Sequence, residues 1–164
     1  MIVSYSKLLE LRKTLHGKKI VFAGGTFDLF HRGHIESFKN LHKFGDIVVI
    51  AVSTDTRVRQ RKGPNRPILP QKERLALVDS IRYVDYSLIA PEPSKNSPVP
   101  TLRILRALRP DVFVSTDKRW LQYLEKVELC GTQMKIIPRG NINSTTRLIT
   151  TILKRYRVHQ KKQS

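Results

Sequence analysis

Five short apolar runs, rich in β-branched residues, recur along the chain, and helix-like stretches separate them. They lie near residues 18–23, 46–53, 84–89, 111–115 and 134–137, and each predicts a strand. Between them, RGHIESFKNLHKF places Ile35, Phe38 and Leu41 on one face, and PQKERLALVDSI opens with a proline suited to a helix start. VPTLRILRAL aligns Leu102, Leu105 and Leu108, and residues 118–130 and 144–157 also have helical spacing. Parallel strands need crossovers of a dozen or more residues, which helices usually supply. The alternation therefore predicts the α/β class: an open, mostly parallel sheet of about five strands with helices on both faces. In such sheets ligands bind beyond the carboxyl ends of the strands.

A chain of 164 residues has the length of one domain and can bury a substantial core. The expected layout is a single domain over residues 1–153, opening on an amphipathic helix, followed by a basic tail over 154–164. The polar end VHQKKQS is expected to fray, and the proline-rich stretch APEPSKNSPVP is expected to be an exposed loop. The longest apolar run, DIVVIAV, is far shorter than the roughly 20 residues of a membrane span. The first residues carry Glu10, Arg12 and Lys13 among leucines and show no cleavage region, so a cytoplasmic location is expected. Cys130 is the only cysteine, which excludes an internal disulfide.

The stretch AGGTFDLFHRGH, residues 23–34, follows the first predicted strand and leads into a helix. A glycine-rich turn at that junction points backbone N–H groups at an anion, at the positive end of a helix dipole. Neither G-x-x-x-x-G-K-[ST] nor G-x-G-x-x-G is present. His31 and His34 are three residues apart, which puts them on one side of a helix, and Gly33 between them leaves space for a bulky ligand. On spacing alone they fit capping histidines, a phosphate clamp or, with no evident third ligand, a zinc pair. Thr26 can bond a phosphate, Phe27 and Phe30 can anchor the loop, and Asp28 can brace the loop or contact magnesium. Near the C-terminus, NSTTRLI reads as a hydroxyl helix cap, either structural or aimed at a phosphate.

GGTFDLFHRGH resembles the signature of the cytidylyltransferase-like nucleotidyltransferases, [TC]-F-D-x-x-H-x-G-H after a small residue. The resemblance extends over roughly residues 5–153. The segments DTRVRQRKGPNRPILPQKERLALVDSIRYVD, ILRALRPDVFV and NSTTRLI are similar to the adenylyltransferase domain of ADP-heptose synthase, with glycerol-3-phosphate cytidylyltransferase the next most similar group. The resemblance implies a Rossmann-like fold and magnesium-dependent transfer of a nucleotidyl group from ATP or CTP to a small phosphorylated acceptor. No covalent enzyme intermediate and no protein metal ligand are implied. His31, His34 and Lys62 would be catalytic, with Lys62 on a mobile basic loop. Gly25, Thr26, Phe27, Asp28, Gly33, Asp117, Arg139, Ser144, Thr145 and Thr146 would bind nucleotide, and Arg61, Arg66 and Arg74 would contact phosphate or acceptor. The acceptor expected first is a heptose-type sugar phosphate. Glycerol 3-phosphate or a similar polyol phosphate comes next, then FMN as in archaeal flavin adenylyltransferases. Relatives are often homodimers.

The charge balance supports a second class. Thirty-one basic residues against 13 acidic ones give a net charge of +18, concentrated in RVRQRKGPNR and KRYRVHQKK. Such a field attracts polyanions, so a degenerate domain that binds nucleotide or nucleic acid through its basic surface is the competing expectation. No aromatic-rich strand of the base-stacking type accompanies the charge, and Trp120 and Tyr123 look scattered.

Overall fold

A computed structural model describes residues 1–95, 99–138 and 144–160, with side chains up to residue 156. Five strands, β1 (Ile20–Gly25), β2 (Ile47–Val52), β3 (Tyr86–Ile89), β4 (Val112–Ser115) and β5 (Gln133–Ile136), form one parallel sheet in the order β3-β2-β1-β4-β5. The chain walks outward from β1 to β3, then crosses to the other side of β1. The ends of β1 and β4 therefore mark the switch point where a crevice opens.

Alternation along the strands supplies a core on each face. Ile20, Phe22, Val49, Ala51, Leu88 and Phe113 face α1 (Leu8–Thr14) and α5 (Pro100–Leu108). Val21, Val48, Ile50, Val52, Val112 and Val114 face α2 (Arg32–Leu41) and α4 (Gln71–Asp79). Three aspartates, each directly preceding a strand, pin the register at the opposite end from the crevice. Asp46 accepts from the Lys19 N–H at 2.9 Å, Asp85 from Val48 at 2.7 Å and Asp111 from Ile20 at 2.7 Å.

Some expected elements differ in detail. The N-terminal helix shrinks to a 3-10 turn (Tyr5–Lys7) and α1, while Ile2 pairs with Ser87 beside β3. The 118–130 helix is split into a 3-10 segment (Lys118–Tyr123) and α6 (Leu124–Glu128). The basic stretch expected as a loop is helical over α3 (Asp55–Lys62), ended by Gly63 at φ 92°. The last helix, α7 (Thr145–Gln160), crosses residue 153 and runs into the segment expected to fray. Among the described residues no helix is long and apolar enough to cross a membrane.

Candidate active site

β1 ends in a loop whose backbone is held far from its relaxed state. Phe27 (φ 52°) and Leu29 (φ 43°) both lie in the left-handed region, which costs a non-glycine residue about 1–3 kcal/mol and persists only where surrounding contacts dictate it. Asp28, between them, supplies those contacts. Its carboxylate is buried, accepts the N–H groups of Ile68 and Leu69 at 3.0–3.1 Å, and pairs with the Arg66 guanidinium at 2.8 Å. Burial alone would push its pKa up. The N–H groups of Leu69 and Ile68, together with Arg66, outweigh that and hold it below the ordinary carboxylate value. Of the two expected roles Asp28 takes the brace; with its oxygens so engaged, it does not fit a magnesium ligand.

Arg74 does for the backbone what Asp28 does for the loop tip. It is completely buried, and it donates to the carbonyls of Leu69, Thr26 and Ser53 and to the Asp55 carboxylate at 2.6–2.9 Å. A side chain enclosed in this way cannot touch an acceptor, so the expected contact is corrected to a positioning role. Arg66 is likewise bound to Asp28, with its side chain only 12% exposed.

The histidines sit where this frame delivers them. His31 is the N-cap of α2, and its Nδ1 accepts the Gly33 N–H at 3.1 Å. An accepting Nδ1 carries no proton, so the neutral ring is protonated on Nε2 and offers a donor there. His34 stacks on His31, with ring centroids 3.9 Å apart and planes 19° from parallel. Phe27 meets His34 edge-on at 5.4 Å and Phe30 lies 5.1 Å away, while both phenyl rings contact buried Phe38. Gly25 lies under this aromatic box: a Cβ there would approach the Phe27 ring to 2.6 Å.

The hydroxyl cap joins the same loop. Thr145 donates to the Asp28 carbonyl at 2.6 Å, Ser144 caps α7 by accepting the Arg147 N–H at 3.2 Å, and Thr146 is exposed. The strand-end loop and the N-terminus of α7 are therefore tied together, although 117 residues separate the bonded pair in sequence. Lys62 is exposed on the last turn of α3. Arg139 lies outside the described residues.

A second feature was only partly legible in the sequence, where Arg61 and Asp117 were expected site residues and their cavity neighbours were not. A cavity of about 230 Å³ opens past the ends of β2, β3 and β4, lined by Arg57, Arg61, Asp117, Arg119, Trp120 and Tyr123 among others. Trp120 and Tyr123, apparently scattered, have ring centroids 5.4 Å apart. Asp117 is gripped by Arg119 through contacts of 2.7–3.1 Å, and these hydrogen bonds lower its pKa. The available signals were the i, i+4 spacing of Arg57 and Arg61 and the i, i+3 spacing of the aromatics, both faint without the fold.

Paired imidazoles stand on a strand-end loop, and a helix N-terminus is tied to that loop, an arrangement of donors chemically able to hold an anion. The family model described as cytidylyltransferase-like matches residues 22–152 and so spans both parts of it. The chain belongs to the cytidylyltransferase-like family. As a cytidylyltransferase-like nucleotidyltransferase it is similar to the bifunctional protein HldE of Koribacter versatilis, at 36% identity over 90% of this chain and 30% of that protein. It is also similar to HldE of Geobacter sulfurreducens, at 32% identity over 85% of this chain and 28% of that protein. The chain spans about a third or less of the length of these curated relatives. Among solved structures, the lipopolysaccharide core biosynthesis protein from Thermoplasma volcanium is 25% identical with a TM-score of 0.63, covering 77% of this chain and 100% of that one. Pantoate-beta-alanine ligase from Francisella tularensis, at 16% identity and a TM-score of 0.59 over 84% of this chain and 66% of that one, shares the fold.

Proposed function

We propose that the chain transfers an adenylyl group from ATP to the phosphate of a heptose-type sugar. A phosphate oxygen of the acceptor attacks the α-phosphorus, the bond to the bridging oxygen breaks, and pyrophosphate leaves with the electron pair. The transition state spreads negative charge over the transferring group, and fixed donors and cations stabilise it with no need for a nucleophile on the protein. The stacked pair of His31 and His34 carries the reading, because the Nε2 donor of His31 and the imidazole of His34 can reach one phosphate from the same side. Thr26 and the N-terminus of α7 with Ser144 and Thr146 would bond the remaining phosphate oxygens, and Gly33 would leave room for them. Lys62 would neutralise the departing pyrophosphate. Magnesium would enter on the triphosphate's own oxygens, since hard cations of this size commonly bind through substrate phosphates and retained waters.

The choice of adenylyl over cytidylyl transfer draws on the HldE relatives and on the resemblance to ADP-heptose synthase. A second reading, cytidylyl transfer to a polyol phosphate, is favoured by GGTFD, which is the form the glycerol-3-phosphate cytidylyltransferases carry. Pyrophosphate release with ATP or CTP, each paired with heptose 1-phosphate or glycerol 3-phosphate, separates the two. We expect turnover with ATP and the sugar phosphate. His34→Ala should lower kcat by about 100-fold or more, the scale of losing a transition-state donor, with an unchanged circular dichroism spectrum. Undiminished turnover in that variant would remove the histidine assignment.

A further inference from the structure

We infer that α7 is a docking surface for an anionic phospholipid membrane, along which it lies without crossing. The helix begins as part of the domain: Thr145 bonds the Asp28 carbonyl, and Leu148 and Ile149 are half-buried. Beyond them its surroundings fall away. Residues 150–156 are all exposed, a stretch of about 10 Å at the helical rise. The sequence of the helix does not suit that exposure. Leu148, Ile149, Ile152, Leu153 and Tyr156 share one side of α7, within an arc of about 140° on a helical wheel. The stripe that starts half-buried therefore continues uncovered, with Ile152 48%, Leu153 50% and Tyr156 70% exposed.

Charge selects the occupant. Arg147 and Lys154 lie opposite the stripe and Arg155 lies at its edge, while residues 145–164 contain no aspartate or glutamate. An apolar stripe flanked by cations matches a surface that offers hydrocarbon beneath a layer of negative headgroups. Ile152 and Leu153 enter the boundary between headgroups and acyl chains, Tyr156 keeps its hydroxyl at the polar level, and the long stem of Arg155 lets its head reach a phosphate. A nucleic acid would use the cations and leave the stripe in water. A second copy would cover the stripe, but five side chains fall well short of the roughly 20–30 residues that each side gives a stable interface. No acid on α7 would meet the second copy's cations. Since Thr145 ties α7 to the loop of His31 and His34, a docked helix holds that loop near the membrane.

The full chain would be sedimented with vesicles of phosphatidylcholine alone and with vesicles containing roughly one-third phosphatidylglycerol, at about 0.1 M salt. We expect at least tenfold tighter binding to the anionic vesicles. Ile152→Gln/Leu153→Gln and Lys154→Gln/Arg155→Gln should each weaken that binding tenfold or more. Lys13→Gln/Lys18→Gln removes the same charge at the far end of the sheet, where β1 begins, and should change it less than twofold. All six positions are exposed, so the variants should keep the parent circular dichroism spectrum. Undiminished binding by Ile152→Gln/Leu153→Gln, or an equal loss in Lys13→Gln/Lys18→Gln, would reduce the contact to diffuse charge and overturn the proposal. Failure of the full chain to sediment with the anionic vesicles would overturn it outright. A dimer in analytical ultracentrifugation that Ile152→Gln/Leu153→Gln dissolves would then assign the stripe to a second copy. Oligonucleotide binding lost only in Lys154→Gln/Arg155→Gln would instead assign the cations to nucleic acid. The transfer reaction is assayed without membranes and stands or falls separately.

Discussion

Removing the guanidinium of Arg74 would strip a donor from three loop carbonyls and the Asp55 carboxylate at once. Breaking a buried pair from one side typically costs about 3–5 kcal/mol, and Arg74→Ala is expected in that range by urea denaturation. Arg61→Ala, at an exposed position, should fall within about 0.5 kcal/mol of the parent chain. Asp28 adds a pH dependence. Its folded pKa is depressed, so its stabilising contribution is complete above the ordinary carboxylate value of about 3.9 and is lost as pH falls through the lower folded value. Asp28→Asn should therefore flatten the acid limb of a stability–pH curve while lowering stability at neutral pH, because Arg66 would be left without its anion. The composition of the loop revealed the histidines and Thr26. It could not decide between the two roles offered for Asp28 or reveal that Arg74 is structural, since their fates depend on Arg66, Ile68 and Thr26, which are 38–48 residues away.

At the scale of elements, α3 shows what periodicity misses. DTRVRQRK has no apolar stripe, and only Val58 is buried, so nothing in the pattern announces a helix. Its ends hold it instead: the Thr54 hydroxyl accepts the Arg57 N–H, Asp55 sits in the first turn, and Arg59, Arg61 and Lys62 occupy the last. Each of these complements the helix dipole or an orphan backbone group. Thr54→Ala should cost about 1 kcal/mol and lower the melting midpoint by about 2–4 °C in a chain of this size. Because α3 carries Arg57, Arg61 and Lys62, the same variant should raise substrate KM more than an equally destabilising change in α1. The strands were legible to within about two residues, because β-branched runs bounded by polar turns leave little freedom. Their order was not, since it rests on crossovers that only the packed core decides.

For the whole molecule, net charge becomes a matter of rate. A surface of +18 draws in anions at long range, and screening shortens that reach from about 30 Å at 0.01 M salt to about 8 Å at 0.15 M. The kcat/KM for the triphosphate is therefore expected to fall about tenfold or more across that range with kcat little changed, as measured by initial rates. A flat salt profile would mean that the charge serves something other than substrate capture. The three aspartates at the feet of β2, β3 and β4 give this charge its evolutionary latitude. They hold the strands in register from the end of the sheet remote from the crevice, while Arg57 and Arg61 of α3 line the mouth and contribute almost nothing to the core. Cations at the mouth can be gained, lost or exchanged without disturbing the frame. A lineage built on this scaffold can change which anion it captures through single surface substitutions, each nearly neutral for folding.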